Sequence, residues 1–413
     1  MFTSSRAKAA WLALSVIVAA FVWTTWPLRE VASENSRLLL VFYTDEAAHF
    51  DVLAASVAQH TIPIGMGYGY PLFNAARLLL VPIAHPSEQQ IVLALRTAEW
   101  AFAVATLIAV FVSIRRLSLL AAVLTTALLA SLPIFVRWSV ISHPDLMQLF
   151  FLWVALAACA RRLDGGVRRW TIVAAAAAGA AFGAKFAGMF LLPIIWAVDL
   201  LPGAAPYPAG VTRLTRAAIV AGAIAAVAAA AVLSPAFVAG HLTADGAIHF
   251  EKSVRLIQLA RVALVAAAAG GLALAVTRFA VPIVSTLAAF AAAFTVTSPQ
   301  AWRGLHFVRA LIFEASVSGV THQGSDPWLL VGTDMISWGV AGFAIAGVVW
   351  VLVDAAKKRR HMAMELVQLA WVAIFGTVLA LSLRSHDQPS YYLLPVVPSI
   401  VFLAVRADRK SVV

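Results

Sequence analysis

Charged residues are scarce in this sequence: Asp, Glu, Lys and Arg together make up 12% of its 413 residues. Soluble domains carry about a quarter, so this chain cannot cover itself with polar surface, and a water-soluble globular domain is excluded. Cysteine is scarcer still. The one cysteine, Cys159, lies inside an apolar stretch, so an internal disulfide is excluded and the redox compartment stays open.

Long apolar runs dominate the sequence instead, and hydrophobic residues make up 62% of the chain. An apolar helix of about 20 residues crosses a bilayer, whereas open strands would leave backbone groups unpaired in lipid. We therefore predict an all-α fold, a polytopic transmembrane helical bundle of about 12 spans, with 11–13 as the range. The predicted spans are 9–27, 91–114, 119–136, 146–160, 171–183, 186–201, 217–233, a segment ending at 278, 281–297, a segment ending before 357, 366–383 and 391–405.

The distribution of charge predicts the topology. Arg6 and Lys8 precede an apolar run that lacks a clear cleavage site, so we interpret it as an uncleaved first helix with its N-terminus inside. When the spans alternate, the basic clusters fall on the inner side, as the positive-inside rule requires. The net charge of +11 therefore reflects topology, and nucleic acid is not expected as a partner. Most acids and histidines fall outside.

Residues 1–413 are predicted to form a single integral membrane domain with two long outer loops. The first, 28–90, carries most of the chemistry-bearing residues and is apolar in interrupted stretches, which favours interfacial helices. The second is 298–334. Ionisable residues gathered at one face suggest an enzyme that works at the interface on a lipid-borne substrate. A channel would place them within its spans, and a transporter often shows two related halves.

An acidic patch at residues 44–50 dominates the first outer loop. Asp45 and Glu46 are adjacent, and if the stretch is helical, Asp45 and His49 share one face. Carboxylates so close to a membrane are costly unless they are solvated, paired or used. The alternative is a solvated loop with capping acids.

Several stretches, in this order and on this side, resemble the polytopic GT-C glycosyltransferases, which include protein O-mannosyltransferases and the lipid A aminoarabinose transferase. These stretches are 44–50, 143–145, 183–189 with 191–193, 298–299 and 391–398. The chain is short for the aminoarabinose transferase, and 234–278 adds a polar segment and a crossing, which leaves the acceptor open.

The resemblance implies transfer of a sugar from a polyprenyl-phosphate donor to a lipid, glycan or protein acceptor. The expected location is the cell inner (plasma) membrane, with the active site on its outer, periplasmic face. A lipid phosphate leaves as a stable anion, so one base can suffice where glycosidases use two carboxylates. The alternatives are a transporter or flippase for a lipid-linked sugar, and an inactive assembly subunit.

The resemblance also suggests roles for the acids and cations. Asp45 is the predicted base, and Glu46 would orient the acceptor or raise the pKa of Asp45. Asp145 would position the acceptor, with a helix N-cap as its alternative. Lys185 would contact the donor phosphate, or else its side chain simply extends toward the interface.

The remaining predicted substrate contacts are His143, His49, Arg384 and Tyr391. Arg384 is a second phosphate candidate or a charge that ends a helix, and Tyr391 is otherwise an interfacial anchor. No cofactor and no metal are expected. The alternative is a divalent cation on Glu46 and His49, with Asp45 and His143 nearby.

Overall fold

The computed structural model describes residues 4–39, 44–61, 68–200, 280–305, 337–356, 362–382 and 393–407, together with Gly270 and Phe307. These ranges contain thirteen α-helices and no strand, which confirms the all-α prediction. The helices are α1 Ser4–Thr25, α2 Thr44–Ala58, α3 Tyr70–Leu80, α4 Glu88–Ile114, α5 Leu119–Ser131, α6 Pro133–Ser139, α7 Asp145–Leu163, α8 Arg169–Ala184, α9 Leu192–Leu200, α10 Ala280–Thr297, α11 Ser337–Ala356, α12 Ala363–Ser382 and α13 Val397–Ala407.

Three helical segments in the described part of the chain are long and apolar enough to cross a membrane: Ala7–Glu30, Glu88–Ile114 and Asp145–Leu163. The pair α5–α6 makes a fourth if the two are one broken span. Several predicted spans appear as apolar helices that are shorter than this, and the predicted span 217–233 lies outside the described residues. The chain is thus a membrane protein by its helices, while the count of twelve spans is not confirmed.

The predicted third span, 119–136, is not one straight helix. The chain bends by 64° between α5 and α6. Leu132 is extended because a residue before proline is pushed out of the helical region, and Pro133 then begins a new helix with its missing N–H at an end where none is needed. The bend sets the direction of α6, which leads directly into the turn that carries His143.

Helix α7 lies at the centre of the bundle and packs against α4, α8 and α12. Of the three candidate spans it is the most enclosed: 67% of its apolar window is buried, against 22% and 44% for the other two. Its own large side chains, such as Leu152 and Trp153, are buried among the neighbouring helices. The residues at both ends of α7 are therefore fixed by the whole bundle.

Small residues let α8 approach its neighbours closely, as is common between membrane helices. A Cβ at Gly179 would collide with the backbone carbonyl of Phe290 in α10, and one at Gly183 would collide with the Ser298 hydroxyl. The end of α8 is thereby held against the segment that follows α10. A change to alanine at Gly179 would force α8 and α10 apart, because the clash is with backbone, whereas at Gly183 the Ser298 side chain would have to move.

The predicted first outer loop contains short 3₁₀ helices at Pro27–Glu30 and Ser36–Leu38, followed by α2 and α3, and turns connect these elements where the structure describes them. Helix α3 packs against α4, and the Asn74 side chain of α3 exchanges hydrogen bonds with Gln300 after α10. Arg77 donates to the Ser56 carbonyl, which satisfies the end of α2. These contacts fix α2, which bears the acidic patch, against the bundle.

Candidate active site

Three parts of the chain converge where α7 begins: the first turn of α2, the turn between α6 and α7, and the extended residue that follows α8. They bring together the side chains of Asp45, His49, His143, Asp145 and Lys185, here called the site cluster. The sequence predicted all five as site residues, and the structure shows that they are neighbours in space.

Asp145 is the buried centre of the site cluster. Its carboxylate accepts a hydrogen bond from Lys185 Nζ at 2.9 Å, and His143 Nδ1 contacts the other oxygen. Pro144 occupies the N-cap position of α7, so the N-cap alternative for Asp145 does not hold. A negative charge at the first residue of a helix is stabilised by the helix dipole, which adds to the two side-chain partners.

His143 connects the buried part of the site cluster to Asp45. Its Nε2 lies 3.6 Å from Asp45 Oδ2, while its Nδ1 faces Asp145. The Asp45 side chain is 33% exposed, whereas His143 and Asp145 are each 1% exposed. A continuous series of ionisable groups therefore runs from Lys185 through Asp145 and His143 to a carboxylate that solvent can reach.

His49 belongs to the site cluster as an uncharged imidazole. It is fully buried, and its Nδ1 donates to the Ser142 carbonyl at 2.7 Å, which leaves Nε2 as the unprotonated nitrogen. Burial lowers the pKa of His49 to about 4, helped by the nearby His143 ring. At neutral pH the imidazole therefore adds no charge beside Asp45.

Glu46 is adjacent to Asp45 in sequence but is placed very differently. Its buried carboxylate accepts two hydrogen bonds from Arg96, from Nε at 2.7 Å and from Nη2 at 2.9 Å. It also accepts a hydrogen bond from the Ser142 N–H at 2.8 Å. Arg96 also donates to the carbonyls of Arg29 and Val31. Glu46 thus ties α2, α4 and the α6–α7 turn together, and these contacts favour a positioning role over the predicted catalytic one.

Sequence reasoning missed Glu99, a second buried carboxylate at this end of the bundle. It lies inside α4 and accepts the backbone N–H groups of Leu146 and Met147, two donors that the start of α7 leaves without a helical partner. The signal was available: Arg96 and Glu99 are ionisable residues inside an otherwise apolar predicted span, where such residues need partners.

Lys185 is positioned by its backbone. It ends α8 in an extended conformation, its carbonyl accepts from Gln148 Nε2 at 2.6 Å, and the preceding carbonyl of Ala184 accepts from the Gly69 N–H at 2.9 Å. Gly69 has a positive φ of 77°, which favours glycine. The Lys185 side chain is 17% exposed and points to Asp145, so its interaction is more specific than a general extension toward the interface.

Two predicted site residues, Arg384 and Tyr391, lie outside the described residues, as does most of the predicted outer loop 298–334. Within the described ranges, no group of three or more His, Cys, Asp and Glu side chains could hold a metal ion. Glu46 is also occupied by Arg96, so it does not fit the alternative metal site. The expectation of no resident metal and no cofactor stays a prediction.

Comparison with known proteins gives a structural likeness without a sequence match. No protein-family model and no curated protein matches the chain. The apo structure of the Archaeoglobus fulgidus oligosaccharyltransferase superposes with a TM-score of 0.51 at 14% identity, over 96% of this chain and 50% of that one. The chain therefore shares its fold with about half of that structure. It spans about half the length of that enzyme, and the likeness concerns the fold alone.

A second structure of the same archaeal oligosaccharyltransferase, a complex with zinc and sulfate, gives a TM-score of 0.47 at 14% identity. It covers 95% of this chain and 48% of the other. The fold shared with the first structure agrees with the GT-C architecture that the order of the sequence stretches leads us to expect. It does not distinguish one member of that group from another.

Proposed function

We propose that this protein is a membrane glycosyltransferase that moves a sugar from a polyprenyl-phosphate donor to an acceptor at the outer face of the inner (plasma) membrane. The observation that carries the proposal is the partly exposed Asp45 at the end of the buried series of ionisable groups. The fold shared with the oligosaccharyltransferase and the apolar helices support it. The acceptor is a hydroxyl group of a lipid, glycan or protein.

Asp45 acts as the general base in this proposal. As the acceptor oxygen attacks the anomeric carbon, its proton passes to the Asp45 carboxylate, and the bond between that carbon and the phosphate oxygen breaks. The lipid phosphate leaves as a stable anion, so no protein acid is required. His143 lies on the buried side of Asp45 and orients it, while Asp145 orients His143.

Lys185 supplies positive charge for the leaving phosphate. Its ammonium group donates to Asp145 at 2.9 Å, and its side chain is 17% exposed, so a phosphate can approach it from the solvent side. Arg384 and Tyr391 are retained as proposed donor contacts. His49 is fully buried, so we assign it to shaping the site cluster.

The outer-face location rests on the charge pattern. Acids and histidines gather at the start of α7, whereas Arg115, Arg116, Arg161 and Arg162 lie at the ends of α4 and α7 away from it. The positive-inside rule assigns that opposite end to the cytoplasm. The site cluster then faces the periplasm.

The test is sugar transfer by purified protein, with a panel of radiolabelled polyprenyl-phosphate sugars and a membrane extract as acceptor. Asp45→Asn should lower the rate by at least about 10²-fold, the low end for a general base. Asp51→Asn is the matched control, because Asp51 is exposed on the same helix and outside the site cluster. Its rate should equal that of the wild type.

Other outcomes would point elsewhere. Full activity in Asp45→Asn would keep the enzyme and remove Asp45 as its base. Saturable donor binding without transfer to any acceptor fraction would favour a carrier of lipid-linked sugars.

A further inference from the structure

A pocket of about 510 Å³ lies at the end of the bundle opposite the site cluster. It forms where α4 and α7 end, where α8 and α12 begin, and where α13 ends. Helix α7 has 19 residues and at 1.5 Å per residue is about 28 Å long, from Asp145 in the site cluster to the end that borders the pocket, whose lining includes α7 residues from Trp153 onward. That distance is close to the thickness of the hydrocarbon core of a bilayer.

The charged lining of this pocket is mainly basic. Arg116, Arg161 and Arg406 line it, against one acid, Asp164. Arg406 is buried and pairs with Glu365, so its charge is partly balanced. Arg116 is exposed and Arg161 is half-buried, so both side chains can turn toward a ligand. Arginine is well suited to phosphate, because its planar group donates two parallel hydrogen bonds.

The remaining lining is apolar and aromatic, including Trp153, Trp170 and Met364. A pocket of this volume falls within the range of small-molecule sites and exceeds what a single phosphate ion needs. Basic groups beside apolar walls match a molecule with a phosphate at one end and hydrocarbon at the other. Basic pockets between membrane helices on the cytoplasmic side bind such headgroups in other proteins.

We propose that this pocket binds the phosphate headgroup of an anionic phospholipid from the cytoplasmic leaflet, with Arg116 and Arg161 as the phosphate contacts. Trp170 and the neighbouring wall of α7 receive the first part of the acyl chains. The proposal is independent of the sugar-transfer reaction, since it requires only that the chain spans a membrane with this end inside.

The experiment is native mass spectrometry of the full-length protein titrated with phosphatidylglycerol or phosphatidylcholine. The wild type should bind one phosphatidylglycerol at least about tenfold more tightly than phosphatidylcholine. Arg116→Gln/Arg161→Gln should lose that preference. The control variant, Arg115→Gln/Arg169→Gln, removes the same charge at the same end of the bundle but alters no residue of the pocket lining. It should keep the preference for phosphatidylglycerol.

Three results would overturn the proposal. Equal binding of the two lipids would show that the pocket does not select charge. An equal loss in the two double variants would indicate general attraction of anionic lipid to a basic surface. Displacement of the lipid by millimolar inorganic phosphate would identify the pocket as a site for the free ion.

Discussion

Helix α7 carries a buried charged residue at each end, and the surroundings of the two differ. At its end, Arg162 pairs with Asp199 at 3.1 Å, and the Thr171 hydroxyl donates to the same carboxylate oxygen. At its start, Asp145 is bound by two groups of which one, His143, also faces Asp45. The first arrangement is closed among buried groups, while the second leads to a carboxylate that a substrate can reach.

The comparison separates stability from chemistry. A buried ion pair is weak evidence of net stabilisation, but removal of one partner leaves an uncompensated charge. The Arg162–Asp199 pair is therefore expected to affect folding alone. The site cluster should affect the rate of transfer, because its exposed carboxylate can exchange protons with a substrate.

The largest effect is expected from Arg162→Met. Loss of the guanidinium leaves Asp199 buried without its ion-pair partner, so the free energy of unfolding should fall by about 3–5 kcal/mol. Transfer per folded molecule should not change. The measurement is thermal unfolding in detergent, with Arg169→Met, an exposed residue at the start of α8, as a control expected to stay within about 0.5 kcal/mol. Loss of sugar transfer by Arg162→Met at unchanged stability would contradict the division between a stabilising end and a reactive end of α7.

Lys185→Met should act on the reaction. Without the ammonium group the leaving phosphate loses a positive partner, so kcat/KM for the donor should fall by about 10–10²-fold, or about 1.4–2.7 kcal/mol in the barrier. Lys185→Arg restores a cation and should recover part of the rate. Steady-state kinetics at varied donor concentration make the measurement. An unchanged kcat/KM in Lys185→Met would remove Lys185 from the donor site.

The smallest effect concerns the pH dependence of stability. The folded-state pKa of His49 is about 4, below the unfolded value of 6.5, so the unfolded chain binds more protons between these values and stability falls as pH drops through that window. Protonation of His49 in the unfolded chain should lower the free energy of unfolding by about 1.4 kcal/mol at pH 5.5. Between pH 7.5 and 5.0, the unfolding midpoint of His49→Gln should change less with pH than that of the wild type. The exposed His85→Gln is the control, and an identical slope in all three proteins would contradict the assignment.

The sequence predicted the fold class and the membership of the site cluster, because both depend on local signals. Apolar runs indicate helices, and ionisable residues in a chain this apolar are few enough to be conspicuous. Asp45, His143, Asp145 and Lys185 lie in the stretches that resemble the GT-C glycosyltransferases, and the structure places them together. The helical reading of 44–50 is also confirmed by α2.

Partners that come from distant parts of the chain could not be predicted. Glu46 and Asp45 look equivalent in sequence, and only the position of Arg96, on another helix, shows that one of them is occupied. The bend at Pro133 divides a run that is apolar throughout, so hydropathy alone reads it as one span. For Glu46 the deciding contact is tertiary, whereas the bend follows from Pro133, a local signal that hydropathy does not register.

The most direct test of this account compares Asp45→Asn with Glu46→Gln, measuring sugar transfer and thermal unfolding on the same preparations. Asp45→Asn should lose at least about 10²-fold in rate with an unfolding midpoint near that of the wild type. Glu46→Gln should unfold at lower temperature, because Arg96 loses its charged partner, and the folded fraction should transfer sugar within about tenfold of the wild-type rate. Wild-type transfer by Asp45→Asn, or loss of transfer by a fully stable Glu46→Gln, would contradict the account.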